Sequence, residues 1–133
     1  MPATAKWIEF VGHEASNRLV PTASGATRPR CTLTVDFRVH DPGRAHMAGI
    51  LYTSDLWGTR ETAMGKFQRC VGPYGPGGHE VWRVTVELDR HVDDFEYVIF
   101  CDDHQGEREV LRIYNTNGGA LFHIMPAAFS APP

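Results

Sequence analysis

Seven histidines and three cysteines are the residues of this sequence with the greatest capacity to bind a metal ion or attack a substrate. The histidines never occur two or four positions apart, and no two cysteines are separated by two residues, so the spacing typical of local zinc sites is absent. Paired carboxylates at Asp93–Asp94 and Asp102–Asp103 lie in turn-forming sequence, where surface charge explains them better than acid–base catalysis. We therefore expect no catalytic residue, no metal and no cofactor. A small metal-dependent enzyme, using the histidines together with Asp102 and Asp103, remains a hypothesis that ranks third, after the two non-catalytic hypotheses given below.

Two aromatic residues stand at turns, where they could bind a ligand. Trp57 follows the polar residues 53–55 and precedes Gly58, and Tyr114 precedes a turn rich in amides and glycines at residues 115–119. A flat aromatic ring can stack on the C–H face of a sugar, while amide side chains both donate to and accept from hydroxyl groups. Two alternatives remain open: Trp57 folds back over the rim of the core, and the asparagines only accept the positive φ of a tight turn.

The segments that must position these residues have the period-two pattern of β-strands. In residues 31–40 the apolar side chains alternate with polar ones, and residues 80–88 place Trp82 on the same face as three aliphatic residues. Residues 95–101 are apolar on both faces, which is typical of a central strand. Five shorter strands are predicted at residues 7–11, 47–52, 63–70, 110–114 and 121–124. About eight strands separated by turns predict an all-β sandwich.

Length and composition favour a single domain over residues 1–133, with a surface loop at 15–30 and a flexible tail at 127–133. The net charge of −3 argues against a nucleic-acid partner, because contacts with phosphates require a basic surface. No apolar run reaches the length of a membrane span, and no apolar leader opens the sequence. Three scattered cysteines are typical of a reducing compartment, so we expect a cytoplasmic protein without a membrane partner.

Five segments in order along the chain resemble carbohydrate-binding module family 21, the starch- and glycogen-binding domain of some fungal glucoamylases and of glycogen-targeting subunits of protein phosphatase 1. They are residues 51–57 (LYTSDLW), 63–67 (AMGKF), 81–86 (VWRVTV), 95–101 (FEYVIFC) and 114–122 (YNTNGGALF). The resemblance covers roughly residues 31–124, most of the chain. The resemblance implies an immunoglobulin-like β-sandwich of about eight antiparallel strands.

The resemblance also implies a non-catalytic module that binds a polysaccharide, an α-glucan such as glycogen or starch. Trp57 and Tyr114 would stack on glucose rings, and the hydroxyl-binding residues would be Asn115, Thr116 and Asn117, with Lys66 as a secondary candidate. The sequence departs from the family at Cys101, where the family has tyrosine, and at Leu121, where it has asparagine. The alternative is therefore a sandwich that has lost sugar binding and binds a protein partner through its edges or loops.

Overall fold

The computed structural model of the chain describes residues 7–40, 46–73, 77–104 and 110–127, and this part contains β-strands but no α-helix. The strands are β1 (Trp7–Pro21), β2 (Thr27–His40), β3 (His46–Thr53), β4 (Glu61–Met64), β5 (Lys66–Val71), β6 (His79–Leu88), β7 (Phe95–His104), β8 (Val110–Asn115) and β9 (Phe122–Ile124). One turn of 3-10 helix, Asn117–Gly119, connects β8 to β9.

The strands form two antiparallel sheets. Sheet I has the order β1-β2-β6-β5, and sheet II has the order β4-β3-β7-β8, with β9 pairing with the first part of β7. Immunoglobulin sandwiches divide their strands in the same way, with the first, second, fifth and fourth on one sheet and the third, sixth and seventh on the other. The additional strand β4 extends sheet II beside β3. The predicted immunoglobulin-like β-sandwich is confirmed.

The core lies between the sheets and is supplied by alternate residues of the central strands. The odd-numbered residues of β2 from Cys31 to Val39 are completely buried, while their even-numbered neighbours are half-exposed on the outer face of sheet I. Trp82 of β6 has 7% of its surface exposed and packs edge-on against Phe67 at 5.8 Å between ring centroids. The predicted inward orientation of Trp82 is confirmed.

All eight predicted strands are present, and the ninth arises because the strand predicted at residues 63–70 is two strands. Gly65 separates β4 from β5, and its N–H donates to the carbonyl oxygen of Ala48 over 2.7 Å. At this point the chain crosses from sheet II to sheet I. A Cβ at position 65 would lie 3.0 Å from that carbonyl oxygen and 3.2 Å from the ring of Trp82, so the crossing favours glycine.

The prediction of a surface loop at residues 15–30 is wrong, because these residues belong to the hairpin of β1 and β2. Only residues 22–26 form its turn. This part of the hairpin lacks an apolar alternation because it is mostly exposed, and its strands are held by main-chain pairing from Ala15–Leu33 to Pro21–Thr27. Of the tail predicted at 127–133, Ala127 forms a parallel bridge with Ser16, and residues 128–133 lie outside the described part.

Candidate functional site

The loop that carries Trp57 is organised around the hydroxyl group of Thr53, the last residue of β3. This hydroxyl accepts hydrogen bonds from the main-chain N–H groups of Trp57 (3.0 Å) and Asp55 (3.3 Å), and it lies 2.6 Å from the carbonyl oxygen of Thr59. Thr53 is only 3% exposed, so the hydrogen bonds of its hydroxyl group are shielded from water. Leu56 and Trp57 both adopt positive φ angles, of 57° and 67°, which non-glycine residues rarely adopt without such support.

The carboxylate of Asp55 closes the same loop. It accepts hydrogen bonds from the main-chain N–H of Thr59 (2.8 Å), from the Thr59 hydroxyl (2.7 Å) and from the Thr53 hydroxyl (2.8 Å). These bonds, those from Thr59 first, lower the pKa of Asp55 to about 2 because they favour its charged form. The loop is therefore held in one conformation by ionised Asp55 at neutral pH.

The indole of Trp57 is oriented by Glu96. Its Nε1–H donates to Oε2 of Glu96 over 2.8 Å, and 37% of the side chain is exposed. Glu96 lies between the buried core residues Phe95 and Tyr97 of β7, so its side chain points out from sheet II. Trp57 is thus drawn towards the outer face of sheet II. The sequence identified Trp57 but not Glu96, because 39 residues separate the partners.

Tyr114 lies on the same outer face. It is opposite Phe100 in the pairing of β8 with β7, and paired residues of antiparallel strands share a face. Beside it, Arg112 forms two hydrogen bonds with Asp102 (2.6 and 2.8 Å) and places its guanidinium 4.0 Å above the Phe100 ring. Tyr114 is 51% exposed, so its ring is available to a ligand. From Glu96 to Phe100 is four residues of β7, or roughly 13 Å at ~3.3 Å per residue.

The outer face of sheet II carries apolar residues between the two aromatics, although Val98 is only 8% exposed and Phe100 is completely buried. Val98 of β7 and Leu51 of β3 are paired there, and the exposed Met47 and Met64 occupy the same face further along. A Cβ at position 49 would lie 2.3 Å from the Ala63 carbonyl oxygen and 3.1 Å from the Phe100 ring, so glycine is needed between β4 and this ring. The outer face of sheet I is instead polar, with threonines and charged residues such as the Arg83–Asp36 ion pair.

The amides of the closing turn are largely used within the protein. Asn115 donates to the carbonyl oxygen of Ile8 in β1 (2.9 Å) and accepts from the N–H of Asn117 (2.9 Å). The Thr116 hydroxyl accepts from the N–H of Gly119 (3.1 Å), and Asn117 has a positive φ of 54° and donates to the Leu121 carbonyl (3.0 Å). Asn115 thus connects the two sheets, whereas Thr116 and Asn117 lie in the turn that follows Tyr114.

The other singled-out positions lie away from the surface shared by Trp57 and Tyr114. Lys66 is exposed on β5, opposite Arg83 of β6, and so belongs to sheet I. Cys101 is completely buried in the core, so its difference from the family is not on the outer face of sheet II. Leu121 ends the turn with a positive φ of 64°.

A cleft of about 500 Å³ adjoins the Trp57 loop at the end of the sandwich. Asp55 and Leu56 line one side, and Arg90, Asp93 and Glu96 line the other. Its volume lies in the range of small-ligand sites, about 300–1,000 Å³. The sequence did not predict this cleft, because the loops after β3 and β6 meet only in the folded chain.

No protein-family model matches this chain, and no curated protein is significantly similar to it. Within residues 7–40, 46–73, 77–104 and 110–127, no group of three or more His, Cys, Asp or Glu side chains is arranged to hold a metal ion. The same residues include no helix with the length and hydrophobicity needed to cross a bilayer.

Proposed function

We propose that this chain is a non-catalytic module that binds an α-glucan, such as glycogen or starch, on the outer face of sheet II. One observation carries the proposal: Trp57 and Tyr114 are exposed aromatics on a shared face. A glucan offers a repeated series of sugar rings, so one chain can stack on both aromatics at once. The partly exposed Leu51 of β3 would receive C–H groups of the glucan between them.

The fixed geometry of the Trp57 loop supports this proposal. A shallow sugar site gains little from burial, so its affinity depends on how little side-chain freedom is lost on binding. Trp57 is held by hydrogen bonds at both ends, from its main-chain N–H to Thr53 and from its indole to Glu96. The Asn115 side chain is bonded at both its amide nitrogen and its oxygen, so Thr116 and Asn117, which follow it, are the proposed partners of glucose hydroxyl groups. Asn115 and Lys66 would contribute indirectly or not at all.

We further propose a cytoplasmic location. Cys31 and Cys101 are buried and Cys70 is partly exposed, and all three are free thiols. Unpaired cysteines in a small domain are typical of a reducing compartment.

Affinity electrophoresis tests glucan binding, in gels that contain glycogen, amylopectin or no polysaccharide. We expect the wild-type protein to be retarded by at least one polysaccharide. Trp57→Ala and Tyr114→Ala should each weaken binding by roughly ten- to a hundredfold, if loss of a stacking ring costs about 1–3 kcal/mol, as it does for bases on aromatic platforms. Melting temperatures should stay near the wild-type value, since exposed side chains contribute little to stability.

Trp7→Ala is the matched control. Trp7 is 50% exposed and stacks on His40 at 4.1 Å, at the other end of sheet I from the Trp57 loop. Its removal should leave retardation unchanged. Loss of retardation only in proportion to loss of folded protein would instead assign Trp57 and Tyr114 a packing role.

A protein-binding sandwich is the second candidate, and the exposed Met47 and Met64 favour it. Flexible, polarisable methionine side chains are frequent on surfaces that bind protein partners. This candidate predicts that neither polysaccharide retards the wild-type protein. It also predicts a partner whose binding is lost on Met47→Glu but retained on Lys66→Glu, a substitution on sheet I.

A further inference from the structure

The hairpin of β1 and β2 extends beyond the rest of sheet I. Strand β6 pairs with β2 only from Cys31–Leu88 to His40–His79, so Thr27–Arg30 pairs with β1 alone. We call residues 17–30 the hairpin arm. The arm carries three arginines, Arg18, Arg28 and Arg30, within a chain whose net charge is −3.

These arginines lie on one face of the arm. Arg18 is directly opposite Arg30, and Arg28 is two residues along the same strand from Arg30. Directly opposed residues share a face, with Cβ atoms about 4.5–5.5 Å apart, and like charges in this arrangement destabilise the strand pair. The sequence thus places positive charges together at a cost to the hairpin.

The described residues neutralise this charge only in part. Asp89 offers one oxygen, Oδ1, to Arg28 at 3.7 Å and to Arg30 at 3.5 Å. Within the described part of the chain, Arg18 forms no ion pair. Nε of Arg30 is buried and has no hydrogen-bond partner there. The contacts with Asp89 are long compared with the 2.7–2.9 Å of a charge-assisted hydrogen bond.

The chain satisfies other arginines much better. Arg83 makes two hydrogen bonds with Asp36, of 2.7 and 3.2 Å, and Arg112 makes two with Asp102, of 2.6 and 2.8 Å. In each of these two pairs the carboxylate binds two N–H groups of the guanidinium. The arm arginines therefore differ from Arg83 and Arg112 in having donors left for a ligand.

The arm is also fixed in position. Asn17, only 4% exposed, donates from Nδ2 to the Val92 carbonyl oxygen (2.8 Å) and accepts at Oδ1 from the Val92 N–H (3.0 Å). These bonds attach the arm to the loop after β6, which also lines the cleft beside Trp57. The three arginines therefore project from a main chain that is fixed in position.

We propose that Arg18, Arg28 and Arg30 form a binding site for the dianion of a phosphate group. Guanidinium groups match phosphate oxygens with two parallel hydrogen bonds, and a dianion compensates the charge that Asp89 leaves. The bound phosphate relieves the repulsion between Arg18 and Arg30. The phosphate group belongs either to a small phosphate compound or to a phosphate ester of a polysaccharide. The site is independent of glucan binding by Trp57 and Tyr114.

Inorganic phosphate is the first probe, with the full chain at pH 7.5 and sodium chloride at equal ionic strength as the reference. Phosphate should raise the melting temperature and give a saturable calorimetric titration. Arg18→Gln and Arg30→Gln should each weaken phosphate binding at least tenfold. In chloride alone, Arg18→Gln should melt at or above the wild-type temperature, because a repulsive pair is removed. Arg83→Gln is the control, and it should bind phosphate with wild-type affinity.

Three outcomes would overturn the proposal: no saturable phosphate binding by the wild type, unchanged binding in both arm variants, or an equal loss in Arg83→Gln. The second probe, amylopectin before and after chemical phosphorylation, identifies the source of the phosphate. Stronger retardation by the phosphorylated polymer that depends on Arg18 supports a polysaccharide ester. Equal retardation together with binding of inorganic phosphate supports a small phosphate compound. Trp57→Ala should leave phosphate binding intact, so the two sites can fail separately.

Discussion

Replacing Asn17 by alanine should destabilise the protein far more than its position in a polar hairpin suggests. Its side chain provides both hydrogen bonds to the main chain of Val92, a residue only 2% exposed. Alanine would leave the N–H and the carbonyl oxygen of Val92 buried without those partners, at about 1–3 kcal/mol for each group. Allowing for partial relaxation, we expect the free energy of unfolding to fall by about 2–4 kcal/mol. That is a large share of the ~5–15 kcal/mol typical of a domain.

Urea denaturation followed by tryptophan fluorescence measures this loss, and the m-value should not change. Ser16→Ala is the matched control, because Ser16 is exposed and the hydrogen bonds of its bridge to Ala127 are made by the main chains of Ala15 and Asn17. It should remain within about 0.5 kcal/mol of wild type. Hydrogen exchange at the Val92 amide should become faster in Asn17→Ala. An Asn17→Ala protein as stable as Ser16→Ala would refute the assignment of these two hydrogen bonds as a structural link.

Three further substitutions test the core, the loop and the pH dependence of the fold. Trp82→Ala should cost about 3–5 kcal/mol, since Trp82 is buried; an unchanged melting temperature would place it outside the core. Thr53→Val keeps the volume but removes the acceptor for the Trp57 N–H, so glycogen retardation should weaken while the fold is retained. Burial, and secondarily His123, lowers the pKa of His13, so the unfolded chain binds a proton more readily. Stability is therefore complete above the unfolded pKa of about 6.5 and is lost as the pH falls below it. His13→Gln should reduce the difference in melting temperature between pH 7.5 and 5.5, and an unchanged difference would rule out this role.

The strands could be predicted because burial of one face of a strand produces an alternation of apolar and polar residues in the sequence. In β2, each apolar residue from Cys31 to Val39 faces the core and each polar residue between them faces outward. The hairpin arm lacks this alternation, since its strands are mostly exposed and the side chain that makes its buried contacts is the polar Asn17. A period-two pattern reports burial rather than strand conformation itself, so an exposed hairpin was predicted as a loop.

The residues of the candidate site could be predicted only where the residue type alone indicates ligand binding, as an aromatic residue in turn sequence does. Trp57 and Tyr114 stand out as aromatics in turn sequence, but the residues that orient Trp57 do not. Thr53 and Glu96 have ordinary side chains for strand ends, and their role depends on contacts that form when β3 and β7 pair. The arm arginines were missed for the same reason, since the opposition of Arg18 to Arg30 exists only in the hairpin register.

Strand β7 explains how sheet II can be apolar on both faces without a third layer. Its sequence predicts a central strand, and the structure confirms the central position between β3 and β8. The outer residue Phe100 is nevertheless completely buried, because Arg112 lies over its ring and Gly49 leaves space beside it. Side chains of the same sheet therefore cover the middle of this face, while Tyr114 remains half-exposed. The exposed rings that remain on this face are those of Trp57 and Tyr114, so under the proposed function the contact with a glucan depends on these two side chains.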